Sequence, residues 1–332
     1  MRIGDQNTAR NVFIVAEIGN NHEGDFGRAQ ELVRQAAASG VDAVKFQTFR
    51  TEGFVSPVDP ARTARLKSFE LTFDQFAELA QLTRSLGKKF ISTPLDLESA
   101  RFLTGICDAL KIASGDNDYW QLIRLCAETE LPLILSSGMT ALNELCDMVT
   151  FVRDARPDRP FAVLHCTSSY PAPAAQANLR AIPVLATALA CEIGYSDHTL
   201  GIDACTTAVA LGARIIEKHF TLDKNLSAFR DHQLSADAVE MRELVARIRA
   251  VEELLGRPVK ELQPAEREIV PVARRSAAAA RALPRGHVLA AGDIVFLRPG
   301  TGFRAAEASS LAGRMLARNV SLGALFALDD LA

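Results

Sequence analysis

A chain of 332 residues, 48% hydrophobic and 23% charged, can bury a large core as more than one domain, or as one large barrel plus an addition. Its formal net charge of −3 gives no electrostatic footprint for nucleic acid or an anionic membrane, and no apolar run reaches membrane-spanning length. Its six cysteines, at 107, 126, 146, 166, 191 and 205, form no CxxC pair and several lie in apolar runs, which argues against a disulfide or zinc framework and for reduced, buried thiols. The N-terminal stretch MRIGDQNTARNVFIVAEIG lacks an apolar signal core with a cleavage site, so a cytoplasmic protein is expected.

From residue 12 onward, short apolar runs alternate with amphipathic stretches. The strand candidates are VFIVAEI (12–18), AVKFQTF (43–49), KFISTP (89–94), ALKIAS (109–114), PLILSSG (132–138), FAVLHCTSS (161–169), EIGYSD (192–197) and IIEKHFT (215–221). Between them, stretches such as GRAQELVRQAAASG and TFDQFAELAQLTRSLG carry apolar residues at helical spacing and end on glycine. Strand then helix, repeated about eight times, predicts an α/β protein built on a TIM (β/α)8 barrel over residues 1–256. A doubly wound sheet is the alternative, but no GxGxxG follows the first strand, and SLGKK at 85–89 lacks the upstream glycine of a P-loop. Polar residues cluster at the C-terminal ends of nearly all these strands, the rim on which barrel enzymes build their active sites. After a helix near 235–255, the proline-punctuated, charged segment 257–273 reads as a linker. Residues 274–332 then change texture to short strands, turn glycines and a theme of RG-x-x-L-x-x-x-D or LG-x-L-x-x-x-D, as expected of a small, separately folded β-rich domain.

IIEKHFTLDK places Glu217, Lys218 and His219 where a strand should stay apolar. Strand alternation turns Glu217 and His219 to one face and Lys218 to the other. His198, in GYSDHT, ends the neighbouring strand about 4.8 Å away, so the two imidazoles can meet at one divalent transition metal. They could equally be rim histidines satisfied by hydrogen bonds. Lys45 and Lys111, amid Thr93, Ser114, Ser136, Ser168 and Ser196, make a cradle for phosphate or carboxylate. The alternatives for the lysines are a Schiff base or an interior ion pair with Glu17 or Glu217. Asn20, Asn21 and His22 follow Glu17 in a loop suited to a ligand or to capping the next helix. Tyr170 reads as a turn residue or an aromatic wall, Asp231 and His232 as the remaining rim pair, and Tyr119 and Trp120 as packing residues.

In order, AEIGNNHEGD, VKFQTF, FISTP, KIASGD, LSSGM, LHCTSSYPAP, GYSDHT, EKHFTLDK and RDHQLS resemble the motif series of the sialic acid synthase (N-acetylneuraminate synthase) family, and the tail with FLRPGTG resembles its antifreeze-like SAF domain. The resemblance implies condensation of phosphoenolpyruvate with an N-acylated hexosamine, such as N-acetylmannosamine, to a nine-carbon 2-keto sugar acid and phosphate. It implies His198 and His219 as ligands of Mn²⁺ or another divalent ion, and Lys45, Thr93, Lys111, Ser114, Ser136, Ser168 and Ser196 as phosphoenolpyruvate-binding residues. Gln47, Tyr170, Asp231 and Glu17 match sugar-side positions. Arg298 matches the SAF-domain arginine that reaches a partner subunit's site, which implies a domain-exchanged homodimer. Glu17, Glu217 and Asp116 are the carboxylates expected to serve catalysis. The sequence departs from the family pattern at Asp116 (usually Glu), at Ser168 (commonly Asn), at FRDH in place of GPDH, and in segment 50–72, which lacks a tyrosine-bearing motif. All four lie on the sugar side, so the acceptor stays open among N-acetylmannosamine, its 6-phosphate and diamino-sugar analogues, or a sugar for spore-coat polysaccharide. Two competing readings are a Schiff-base lyase using Lys45 or Lys111, and a carbohydrate- or ice-binding protein suggested only by the tail.

Overall fold

In the computed structural model, which describes Met1–Ala332, the eight apolar runs become eight parallel strands that close into one barrel. They are β1 (Phe13–Gly19), β2 (Ala43–Thr48), β3 (Lys89–Pro94), β4 (Ala109–Ile112), β5 (Leu133–Ser136), β6 (Phe161–Cys166), β7 (Glu192–Asp197) and β8 (Ile215–His219). Closure comes from β8 pairing with β1, from Ile215 opposite Phe13 to His219 opposite Glu17. This is the TIM barrel predicted from the strand–helix alternation.

Alternation along each strand divides the side chains between the lumen and the helix layer. In the lower lumen Phe13, Val15, Ala43, Ile91, Ala109, Ile134, Ala162, Leu164 and Ile215 form one apolar cluster. Ile3 joins it from a hairpin of Arg2–Ile3 with Gln6–Asn7, and the Met1 ammonium pairs with Glu192. One step further along the same strands, the lumenal positions turn polar: Glu17, Lys45, Thr93, Lys111, Ser136, Ser196 and Glu217. The outward positions pack against helices through residues such as Leu32, Phe76, Leu122, Met148 and Leu244. Asp25, Thr72 and Asp96 cap three of these helices with side-chain hydrogen bonds, each stabilising by about 1 kcal/mol. Asp25 thus takes the capping role considered for Asn20, Asn21 and His22.

Between β2 and its helix Phe73–Ser85, the chain adds two helices, Thr51–Phe54 and Pro60–Phe69. Asp59 caps the second and Pro60 opens it, yet PARTARLKSF buries none of its residues. Glu70 ties the pair together by accepting from Thr51 N (2.9 Å), Thr51 Oγ1 (2.7 Å) and Arg50 (3.1 Å). At its C-terminal end the Ser68 carbonyl lies so close to Gly24 (φ +78°) that a Cβ there would come within 2.0 Å of it, which only glycine permits.

Met1–Gly256 and Arg257–Ala332 are separate compact units. In the second, β9 (Ser276–Ala279) and β10 (Ile294–Leu297) pair antiparallel over a core that includes Ala277, Leu283, Leu289, Leu316 and Phe326. The repeated theme has a structural cause. Asp293, which ends the first copy, accepts from Ala290 N (3.0 Å) and Arg281 and is buried as a turn cap. In the second copy that place belongs to Asp330, one residue past the exposed Asp329 of the theme, accepting from Ala327 N (2.7 Å) and Arg318. Residues 257–273 hold a 3₁₀ turn, Pro264–Glu266, and a helix, Ile269–Ala273, whose Pro271 carbonyl accepts from Gly300 N at 2.6 Å.

Candidate functional site

The polar ends of the strands open into one cavity of about 920 Å³. Every site residue expected from the sequence except Arg298 lines it. Arg298 follows β10 in the second unit, exposed, with its Nε donating to the Ala273 carbonyl at 2.9 Å.

On the floor, Lys45 Nζ lies 2.8 Å from Glu17 Oε2 and 3.6 Å from Glu217 Oε2, with all three groups buried. The interior ion pair considered for this lysine is therefore present. Gln47 donates to Glu17 Oε1 (3.1 Å) and accepts from Asn20 (2.9 Å), while Ser196 donates to Glu217 Oε1 (2.9 Å). The two carboxylates are driven apart in acidity. Burial raises Glu17, and neither Lys45 nor its other contacts outweigh that. Burial also opposes ionisation of Glu217, but the ammoniums of Lys45 and Lys111 together hold it below the usual carboxylate range. Paired carboxylates with opposite shifts are the arrangement that separates a proton carrier from a permanent anion.

Lys111 differs from Lys45. It is buried, donates to Ser136 Oγ and to the Ile112 carbonyl (3.1 Å), and has no carboxylate within ion-pair distance. Burial lowers its pKa. Around it, Ser114 Oγ accepts from Gly138 N (3.1 Å), and Ser168 Oγ is buried without a hydrogen-bond partner. A Cβ on Gly138 would fall 2.2 Å from Ser168 Oγ and 2.6 Å from Ser114 Oγ, so glycine leaves both hydroxyls facing the cavity. An ammonium with no carboxylate within ion-pair distance, beside hydroxyls that face the cavity, has the chemistry to hold an anion. Thr93 Oγ1, 3.3 Å from Lys45 Nζ, extends the row of hydroxyls towards β2.

The two imidazoles come together at the other side of the mouth, with ring centroids 5.4 Å apart. Burial lowers the pKa of His198 and lowers that of His219 well below the ordinary value, so both are neutral at pH 7. His198 Nδ1 lies 2.9 Å from the Thr167 carbonyl, which can only accept; Nδ1 therefore carries the proton and Nε2 a free lone pair. His219 Nδ1 is buried with no partner. Neutral rings with uncommitted nitrogens fit a divalent metal, whose histidine ligands are commonly oriented by a hydrogen bond from the other nitrogen. No three His, Cys, Asp or Glu side chains group for a metal, so the protein's contribution would be these two rings.

Asp116 stands beside the cradle, where burial and then Asp118 push its carboxyl up to about 6. Tyr170 lines the cavity, its ring 4.1 Å from that of His198 and the Arg230 guanidinium 4.7 Å from its centroid. Asp231 Oδ1 is buried without a hydrogen-bond partner, and burial raises this carboxyl. His232 points away from the cavity, bonding Thr221 through Nδ1 at 2.7 Å. His22 is buried and accepts from Gly24 N, and Asn21 donates to the Phe220 carbonyl. Trp120 packs on Phe151.

Sequence reasoning missed the outer wall. Phe54, Arg62, Arg65, Leu66 and Phe69, from the two added helices, line the cavity, and Phe69 meets Phe229 edge-on at 5.3 Å. Arg62 and Arg65 are exposed and take part in no ion pair within 4 Å, whereas Lys67 of the same helix pairs with Glu52 and Glu70. The available signal was length, since so long a connection after a barrel strand usually serves a ligand. Asn20 also lines the cavity, held by Gln47.

Comparison with known proteins matches residues 32–260 to the NeuB family and residues 274–332 to the SAF domain. The chain is 40% identical to the N,N'-diacetyllegionaminic acid synthase of Legionella pneumophila over 94% of this chain and 92% of that one. It is 32% identical to the N-acetylneuraminate-9-phosphate synthase of Mus musculus over 91% and 88%. The crystal structure of an N-acetylneuraminic acid (sialic acid) synthetase from Leptospira borgpetersenii, in complex with citrate, superposes with a TM-score of 0.77 at 34% identity, covering 81% of this chain and 94% of that one.

Proposed function

The chain belongs to the NeuB family, and from that premise we propose that it condenses phosphoenolpyruvate with an open-chain N-acylated hexosamine, releasing phosphate and a nine-carbon 2-keto sugar acid. The observation that carries this reading is Lys111, a buried ammonium with no carboxylate within ion-pair distance, set among hydroxyls that face the same cavity as two neutral imidazoles, each with a nitrogen to spare. A Schiff-base lyase would need one activated lysine but neither the hydroxyl row nor the imidazole pair.

Lys111, with Ser114, Ser136 and Ser168, would hold the phosphate and carboxylate of phosphoenolpyruvate, and Lys45, Thr93 and Ser196 would flank it. His198 and His219 would hold a divalent cation such as Mn²⁺, which when bound supplies Lewis acidity at the acceptor's aldehyde oxygen. The enol C3 attacks the aldehyde carbon, and its oxygen takes a proton and becomes a hydroxyl. Water adds at C2, giving up one proton, and the C2–O bond to phosphate breaks as the C2 hydroxyl passes its remaining proton to the departing phosphate and becomes the ketone. No net proton is consumed inside the site. Glu17, whose carboxyl is kept protonatable, is suited to carry the proton given to the new hydroxyl. Glu217, held anionic, is suited to take the proton from water, and Lys45 lies between the two. Gln47, Tyr170 and Asp231 face the acceptor side, with Arg62, Arg65 and Arg230 farther out. In this reading Arg298 comes from a second copy of the chain, in a domain-exchanged homodimer. The enzyme would act in the cytoplasm, with which six free thiols agree. No helix is long and apolar enough to cross a membrane.

The test is to incubate the protein with Mn²⁺, a panel of N-acylated sugars and phosphoenolpyruvate carrying ¹⁸O in its bridging C–O–P position. The expected result is sugar-dependent, chelator-sensitive release of labelled phosphate. No release with any sugar would sink the reaction, unlabelled phosphate would sink C–O cleavage, and release indifferent to chelator would sink the metal. Borohydride with pyruvate should label no lysine.

A further inference from the structure

Lys218 faces away from the cavity, into the layer between the barrel and its helices, where an apolar residue would pack as well. It is directly opposite Asp197 in the β7–β8 register, and each residue immediately precedes or follows one of the paired histidines: Asp197 stands before His198, Lys218 before His219. Lys218 Nζ lies 2.8 Å from Asp197 Oδ2 and donates to the Thr199 carbonyl at 2.6 Å. One ammonium, borne by the strand that carries His219, thereby holds the side chain that precedes His198 and the backbone carbonyl that follows it. The carboxylate is fixed in turn. Asp197 Oδ1 accepts from Tyr195 OH (3.0 Å) and Thr199 N (2.9 Å), and Oδ2 from Cys205 Sγ (3.3 Å). Asp197, Lys218, Tyr195, Thr199 and Cys205 are all buried.

We propose that the Lys218–Asp197 pair is a positioning device that sets the spacing and facing of the His198 and His219 imidazoles, so that a divalent cation can share them. The inference rests on the metal reading above and adds residues that never touch the ion. The charges of a buried pair are weak evidence for stability, since apolar pairs of similar volume often replace them at little loss. What an apolar pair cannot do is fix register between two strand ends through directed hydrogen bonds, and the chelate geometry depends on that register. Groups that orient metal-binding histidines from behind commonly change affinity by about 10–100-fold when removed.

The experiment is a Mn²⁺ titration of the full chain, read by the loss of the free-ion electron paramagnetic resonance signal. The variants are Lys218→Met, the double variant Asp197→Leu with Lys218→Met, and Tyr195→Phe. Far-UV circular dichroism, thermal denaturation and phosphoenolpyruvate binding without metal are measured alongside. Lys218→Met should bind Mn²⁺ about 10–100-fold more weakly with phosphoenolpyruvate binding unchanged. The double variant, which removes both charges but leaves Tyr195 OH and the Thr199 backbone unpaired, should melt above Lys218→Met without recovering Mn²⁺ affinity, the split that a purely structural role would not produce. Tyr195→Phe, which keeps the ion pair and loses one bond to Asp197, should bind Mn²⁺ more weakly than the unaltered chain at an unchanged fold; it decides the matter if Lys218→Met does not fold. Unaltered Mn²⁺ affinity in the double variant or in Lys218→Met overturns the inference alone. Absence of Mn²⁺ binding by the unaltered protein overturns the metal reading, and the inference with it.

Discussion

Lys45 and Lys111 look interchangeable in sequence, yet replacing each with methionine should have opposite consequences. Lys45 stands between two buried carboxylates, 2.8 Å from one and 3.6 Å from the other. Removing one member of a buried ion pair costs about 3–5 kcal/mol because a charge is left uncompensated. At about 2–4 °C per kcal/mol for a domain of this size, the Lys45→Met melting temperature should fall by roughly 6–20 °C at neutral pH. Lys111 has no carboxylate within ion-pair distance, acts on Glu217 only from farther off, and burial disfavours its charged form. Lys111→Met should therefore leave the melting temperature equal or higher. It should instead weaken phosphoenolpyruvate binding, because a hydrogen bond to a charged group contributes about 1.5–3 kcal/mol. That corresponds to about 10–150-fold in the dissociation constant at 1.36 kcal/mol per tenfold. Thermal denaturation by circular dichroism and calorimetric titration with phosphoenolpyruvate measure both. Equal destabilisation by the two substitutions, or unchanged phosphoenolpyruvate affinity in Lys111→Met, would refute the division of roles.

Glu17→Gln keeps the shape of a buried side chain but removes its proton, so turnover should drop by about 10²–10⁴-fold while phosphoenolpyruvate still binds; near-normal turnover removes Glu17 as proton carrier. The Asp116 carboxyl, pushed up to about 6, carries stability that is fully present below its unfolded value of 3.8 and lost as pH rises through about 6. Asp116→Asn should accordingly melt higher than the unaltered chain at pH 7 and no differently at pH 3, and its rate profile should lack an inflection near pH 6; identical melting curves at both pH values would contradict the shift. Replacing Arg62 and Arg65 together by alanine should raise KM for the acceptor and leave phosphoenolpyruvate affinity unchanged, since both residues lie on the outer wall and neither pairs with a carboxylate.

The barrel was legible because two periodicities coincide in the sequence. Lumenal positions along each strand run from apolar to polar, as in Val15 then Glu17, Ala43 then Lys45, and Ile134 then Ser136, and that gradient points to the rim. The same alternation separated Glu217 and His219 from Lys218. Its partner was out of reach, because the register that sets Asp197 against Lys218 is a property of the closed sheet. The helix Pro60–Phe69 escaped notice for a local reason: it buries no residue, so PARTARLKSF has no apolar stripe to reveal it. Capping of the first helix by Asp25 rather than by the asparagines depends on where the β1 turn ends, and sequence locates helix ends poorly. Of the two roles open to Asn20, ligand loop or helix cap, the structure places it on the cavity, and what decides this is its partner Gln47 on another strand.

The most direct test of the whole account is a crystal of the protein grown with Mn²⁺ and phosphoenolpyruvate and measured at a wavelength sensitive to manganese. The account predicts one anomalous peak bonded to the imidazoles of both His198 and His219, with the phosphate of phosphoenolpyruvate against Lys111 and the serines beside it. Manganese bound elsewhere, or phosphoenolpyruvate seated away from Lys111, would contradict it.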